Sequence, residues 1–175
     1  MFKKQWPAFL LAFILPLLAV FWWWGGFSSV SIVETDAGPY RYAYVEYEGP
    51  ISNMRKTLRG ALEKFSVAQI EPGDTISVIL SDPRANNGKV RAQLGYTLAD
   101  RADLPAGLKE GHIERRPVYA AHVQAAVLLA PSKAYQALSE TLGAEGKILM
   151  MPTVELYRPA GQANRIGTFT LEMDR

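Results

Sequence analysis

The chain contains no cysteine and only two histidines among its 175 residues. Without cysteine it can form no disulfide bond, thiol nucleophile or cysteine-ligated zinc site. Two histidines are too few for a histidine-rich metal site, so neither a metal nor another cofactor is expected. The sequence also lacks a nucleophile elbow, a phosphate-binding loop and a dinucleotide-binding glycine motif, which argues against the enzyme classes that depend on them.

Most of the chain has no excess of basic over acidic residues. The formal net charge is +2, and Lys3 and Lys4 are the only charged residues before Glu34, so the remainder carries 17 basic and 17 acidic residues. A neutral domain with interspersed charges offers no positive surface to a phosphate backbone. Nucleic acid is therefore not an expected partner, although the isoelectric point is about 8.8.

An uncharged, apolar run with tryptophan at both ends occupies residues 6–27. Because a helix of about 20 residues crosses the roughly 30 Å of hydrocarbon in a bilayer, the run predicts a transmembrane signal anchor over residues 1–27. The basic residues before it predict a single-pass membrane protein with a cytoplasmic N-terminus, the lipid bilayer as a partner, and its domain on the extracytoplasmic side. A cleaved signal peptide is the alternative.

The rest of the chain is predicted to consist of a linker, residues 28–38, and a domain, residues 39–175. The domain begins with an alternating, tyrosine-rich strand at residues 40–48 that ends at Gly49-Pro50. Apolar residues then recur at three- and four-residue steps, which predicts a helix from Met54 onward. Two further strands are predicted, at residues 75–80 and 89–98.

The same order of elements recurs in the second half of the domain. The patterns predict a strand at 116–123, a helix at 128–142, and strands at 147–157 and 167–173. Duplication of a strand-helix-strand-strand unit predicts an α+β fold in which two modules pack together, with a groove between their two sheets.

Four short motifs occur in an order that matches one known family. They are Gly49-Pro50, Asp82-Pro83, residues 89–95, and residues 152–157, which are similar to that family's Pro-x-x-Glu-x-Tyr strand. With the repeat, they make the domain resemble the GyrI-like small-molecule-binding domains, which include effector-binding domains of AraC-type and MerR-type regulators. The resemblance implies that a small-molecule ligand binds in the groove.

The candidate ligand-binding residues are one glutamate and five tyrosines. The resemblance implies that Glu155 lies in the groove and faces cationic ligands, while an exposed strand glutamate paired with Arg158 is the alternative. Tyrosine rings can stack on flat or cationic ligands, but on strands they also serve as core residues. The tyrosines predicted to line the groove are Tyr42, Tyr44, Tyr96, Tyr119 and Tyr157. His122, on a strand, is predicted to be structural.

The favoured function is that of a membrane-anchored, non-enzymatic protein that binds a small cationic or amphipathic compound. Some GyrI-like proteins hydrolyse small electrophiles, so one alternative is a hydrolase in which Glu155 acts as acid or base and no other catalytic residue is assigned. Another alternative is an interaction module whose strand edge docks a membrane or envelope protein.

Overall fold

The computed structural model describes residues 6–82, 85, 87–161 and 166–175. Lys3 and Lys4, on which the predicted membrane orientation depends, and Pro83 of the Asp82-Pro83 motif lie outside these residues. The helices are α1 (Trp6–Trp23), α2 (Met54–Val67) and α3 (Ala130–Ala144), and a short 3-10 turn, Ile51–Asn53, precedes α2. The strands are β1 (Ser31–Ala37), β2 (Tyr40–Pro50), β3 (Thr75–Ile79), β4 (Lys89–Thr97), β5 (Lys109–Ile113), β6 (Arg116–Gln124), β7 (Thr153–Arg158) and β8 (Thr168–Asp174).

Within the described residues, no helix is long and apolar enough to cross a membrane. Helix α1 stops before the end of the apolar run because Gly25 adopts a left-handed conformation, with φ at +74°. The predicted single-pass localisation with an extracytoplasmic domain is therefore wrong, and the predicted membrane anchor and bilayer partner have no support.

The segment predicted as a linker contains a strand. β1 pairs antiparallel with β6 along its whole length, from Ser31 opposite His122 to Ala37 opposite Arg116. Most of its side chains are exposed because it lies at the end of the sheet. An exposed edge strand needs no apolar alternation, and this explains why the sequence pattern did not indicate it.

The domain has the predicted α+β repeat, with β2-α2-β3-β4 as the first module and β6-α3-β7-β8 as the second. Its strands form one sheet, in the order β1-β6-β8-β7-β3-β4-β2-β5, with antiparallel pairing throughout. The modules join where β3 pairs with β7. The expectation of a groove between two sheets is therefore wrong, because the two halves share a single sheet.

Two helices cover one face of this sheet, and each packs on its own module. α2 lies on β2 and β4, and α3 lies on β6 and β8. Their buried residues recur at four-residue steps, as an amphipathic helix requires: Ala61 and Phe65 on α2, and Ala130, Ala134, Leu138 and Leu142 on α3. The central strands β3 and β7 consequently lie between the two helices.

The opposite face of the sheet carries a second apolar cluster that includes Tyr42, Tyr44 and Val154. The sheet curls around this face, because β1 and β2 lie near opposite ends of the strand order but only Gly38 and Pro39 separate them in the chain. Gly38 has a φ of +86°, and a Cβ there would lie 2.9 Å from the Glu114 carbonyl oxygen. Glycine therefore permits the tight crossing that brings the two edges together.

Candidate functional site

Glu155 lies on β7, on the face of the sheet that α2 and α3 cover. Its cross-strand neighbours are Ser77 on β3 and Leu171 on β8, and Leu171 belongs to the apolar cluster under α3. Because β3 and β7 run between the helices, the Glu155 side chain occupies the strip of sheet that separates α2 from α3. Ser77 and Thr153 are buried and Glu155 is half-buried, and we call this region of the sheet between the two helices the central groove.

Tyr135 connects α3 to the floor of the central groove. Its hydroxyl donates a hydrogen bond of 2.9 Å to Oε1 of Glu155 and lies 2.8 Å from Oγ1 of Thr153. Burial, together with the nearby carboxylate of Glu155, raises the pKa of Tyr135 far above its ordinary value. Tyr135 thus remains a neutral hydrogen-bond donor throughout the physiological pH range.

Tyr135 was not among the ligand-binding residues predicted from the sequence. Its position next to Ala134, on the buried stripe of α3, is the one signal that indicates a half-buried side chain. Helical periodicity does not show which strand such a residue contacts. The hydrogen bond between Tyr135 and Glu155 therefore became evident only in the tertiary structure.

The Glu155 carboxyl group titrates near neutrality. Burial raises its pKa to about 7 from 4.5, and the hydrogen bond from Tyr135 partly opposes this rise because it stabilises the charged form. The alternative partner, Arg158, instead forms an ion pair of 2.8 Å with Asp74. Within the described part of the chain, no basic side chain forms an ion pair with Glu155.

The α2 side of the central groove is apolar. Met54 and Leu58 of α2, with Met151, are partly buried against a cluster that contains Ile79 and Leu94. Leu94 is the cross-strand neighbour of Ser77, which places this cluster beside the groove floor. The groove therefore combines an adaptable apolar wall with the half-buried carboxyl group of Glu155.

A second negative charge acts on the same region. The carboxylate of Asp82, which follows β3, contributes to the raised pKa of Tyr135. Two acidic residues, Asp82 and Glu155, thus both contribute to the raised pKa of Tyr135.

Tyr157 lies on the same face of β7 as Glu155, two residues along the strand. Tyr96 and Tyr119 are also on the helix-covered face, but each belongs to the core of its own module. The Tyr96 hydroxyl donates to the Leu58 carbonyl oxygen at 3.3 Å, and the Tyr119 hydroxyl accepts a hydrogen bond from Lys147. Of the predicted tyrosines, Tyr157 is the one on the strand of Glu155.

Tyr42 and Tyr44 do not lie with Glu155, which corrects the prediction that these side chains share a groove. Both belong to the cluster on the opposite face, with their rings 5.4 Å apart. Alternation along β2 points Ala43 toward α2 and the two tyrosines away from it. His122 also lies on the opposite face, where its Nδ1 is 2.9 Å from the Thr170 hydroxyl.

No family model and no curated protein matches this chain. Several solved structures share its fold. One is SAV2435 bound to tetraphenylphosphonium, with a TM-score of 0.58 and 11% identity over 82% of this chain and 93% of that chain. Another is the EcmrR–DNA complex, with a TM-score of 0.63 and 9% identity over 98% of this chain and 68% of that chain.

The integron cassette protein VCH_CASS2 from the mobile metagenome of Vibrio cholerae is also similar, with a TM-score of 0.52 and 8% identity over 83% of this chain and 95% of that chain. At these identities the similarities describe the fold alone. They show that the chain shares the overall fold of these proteins.

Proposed function

We propose that the protein binds a small organic cation in the central groove, and that Glu155 supplies the counter-charge. The main support for this proposal is the half-buried carboxyl group of Glu155, which accepts a hydrogen bond from the neutral hydroxyl of Tyr135. An ionised carboxylate removed from water without a positive partner is destabilising. A bound cation supplies that partner, so binding favours the ionised form of Glu155.

The surroundings of Glu155 favour a cation with apolar substituents. Met54, Leu58 and Met151 present aliphatic and thioether groups that can adjust to ligands of different shape. Tyr135 fixes one carboxylate oxygen through its hydrogen bond, and the second oxygen is the proposed contact for the ligand. The similar protein SAV2435 was solved with tetraphenylphosphonium, which has this combination of positive charge and apolar groups.

The proposal is tested with tetraphenylphosphonium and tetraphenylborate, which have the same shape and opposite charge. We expect the cation to raise the melting temperature of the full chain and the anion to leave it unchanged, because ligand binding stabilises the folded state. Glu155→Gln should abolish the shift, whereas Glu46→Gln, at an exposed position on the other face of the sheet, should retain it.

Equal shifts with both ions, or an undiminished shift in Glu155→Gln, would contradict the proposal. Mass spectrometry of the recovered compound distinguishes binding from turnover, because a binding protein returns the cation unchanged and a hydrolase produces new species.

A further inference from the structure

A polar cavity of about 430 Å³ opens on the sheet face opposite α2 and α3. Its lining comes from the ends of β2, β4 and β7 and from β6 and β8, so it occupies the concave side of the curled sheet. The lining includes the side chains of Tyr40, Thr97, His122, Leu156, Thr168 and Thr170. Small-molecule pockets of about 300 to 1,000 Å³ are usually lined mainly by apolar groups, whereas hydroxyl-bearing and charged residues make up most of the lining here.

A neighbouring cavity of about 420 Å³ extends this surface toward the start of β1. Ser28, Ser29 and Gln124 contribute to its lining, and it shares His122 and Thr168 with the first cavity. The two cavities therefore form one polar strip. Most of its polar groups are hydroxyls and an amide, which can both donate and accept hydrogen bonds.

Of the five charged residues that line the strip, all but Asp100 form ion pairs within the protein. Four lining residues form ion pairs within the protein: Arg158 and Asp74 with each other, Arg41 with Glu110, and Glu172 with Arg116. Another lining residue, Asp100, is exposed at the rim, where water screens its charge. A charged ligand would have to compete with these internal pairs, and displacing Arg116 from the buried Glu172 would leave that carboxylate uncompensated.

We propose that the polar strip is a second ligand site, and that it binds a neutral polyhydroxylated compound of the carbohydrate class. Each hydroxyl of such a ligand can both donate and accept a hydrogen bond, which matches Thr168, Thr170 and His122 without disturbing an ion pair. The Tyr40 ring supplies apolar surface beside these groups. This site lies on the other face of the sheet from Glu155 and does not depend on the function proposed for the central groove.

Calorimetric titration of the full chain with trehalose and maltotriose tests the proposal. We expect at least one of these neutral saccharides to bind, and the charged sugars glucose 6-phosphate and glucosamine to bind more weakly. Failure of both neutral saccharides to bind would overturn the inference, as would tighter binding of either charged sugar.

Variants locate the binding. Thr168→Val and Thr170→Val keep the shape of the side chain and remove its hydroxyl, so each should weaken saccharide binding by about fivefold. Thr35→Val, at an exposed position of β1 that lines neither cavity, is the matched control and should leave the affinity unchanged. Glu155→Gln should also leave it unchanged, and loss of saccharide binding in that variant would place the ligand in the central groove and refute a second site.

Discussion

The hydroxyl of Tyr135 on α3 donates a hydrogen bond of 2.9 Å to Oε1 of Glu155 on β7. This bond joins the helix of the second module to the strand that pairs with the first module. It also opposes the effect of burial on the Glu155 pKa, because a donated hydrogen bond favours the ionised carboxylate. The pKa of Glu155, which burial raises, is therefore also lowered in part by a residue on a different element.

Tyr135→Phe should raise the pKa of Glu155 above its value of about 7. The substitution removes the donor that stabilises the carboxylate and leaves the burial of the site nearly unchanged. Carbon-13 NMR titration of the glutamate carboxyl groups measures the change. Tyr119→Phe is the control, because it removes a hydroxyl that contacts Lys147. It should leave the pKa of Glu155 unchanged. A pKa that falls, or stays the same, in Tyr135→Phe would show that the hydrogen bond does not control it.

Glu155 should make the protein less stable as the pH rises from about 4.5 to about 7. Its pKa is higher in the folded than in the unfolded state, so its contribution is fully present below pH 4.5 and is lost as the pH rises through about 7. The shift corresponds to a loss of up to about 3 kcal/mol.

Urea denaturation of the wild-type protein and Glu155→Gln at several pH values isolates this contribution. Glutamine does not titrate, so the free energy of unfolding of the variant, relative to wild type, should increase across the same pH range. A difference that stays constant from pH 4.5 to 8 would contradict the raised pKa.

Arg116→Met should lower the free energy of unfolding by about 3 kcal/mol, because it leaves a buried charge without its positive partner. Arg116 forms an ion pair of 3.1 Å with Glu172, whose side chain is only 3% exposed. Arg175→Met, which breaks an exposed pair with Glu34, should cost less than about 1 kcal/mol.

Combining Arg116→Met with Glu172→Leu removes both charges and should recover part of the lost stability. Urea denaturation measures all of these variants. The contrary outcome is a double variant whose free energy of unfolding is lower than that of Arg116→Met alone, because the two substitutions then destabilise the protein independently. That result would show that an uncompensated charge does not explain the loss of stability.

Gly95→Ala and Gly60→Ala should change stability in opposite directions. A Cβ at Gly95, on β4, would lie 1.9 Å from the Ala43 carbonyl oxygen, so alanine must displace β2 and should cost about 2 to 4 kcal/mol. A Cβ at Gly60, inside α2, meets nothing within 4 Å, and alanine there should stabilise the protein by about 0.5 to 1 kcal/mol. Thermal and urea denaturation test both, and a neutral Gly95→Ala would show that the strands are not so closely packed.

Most of the regular elements could be predicted because their signals are local. The buried residues of α3 recur at helical spacing between Pro131 and Gly143, and the observed helix Ala130–Ala144 lies within two residues of the predicted range at both ends. β1 could not be predicted in this way, because an exposed edge strand depends on its pairing with β6.

The candidate site was predicted only in part. The strand of Glu155 and its shared face with Tyr157 follow from the Pro-x-x-Glu-x-Tyr resemblance and from alternation. Alternation also places Tyr42 and Tyr44 on one face of β2, but both faces of that strand pack on apolar residues. The pattern therefore could not show which face meets the helices.

By itself, the sequence determined the order of the two strand-helix-strand-strand modules, because periodicity and turn residues act over a few neighbouring positions. Only the tertiary structure decided that β3 pairs with β7, that Tyr135 meets Glu155, and that the helix of the apolar N-terminal run ends at Trp23. The first two are contacts between residues far apart in the chain, and no local pattern encodes the partner of a strand edge or of a buried hydroxyl. The third depends on the backbone conformation at Gly25, which hydrophobicity does not report.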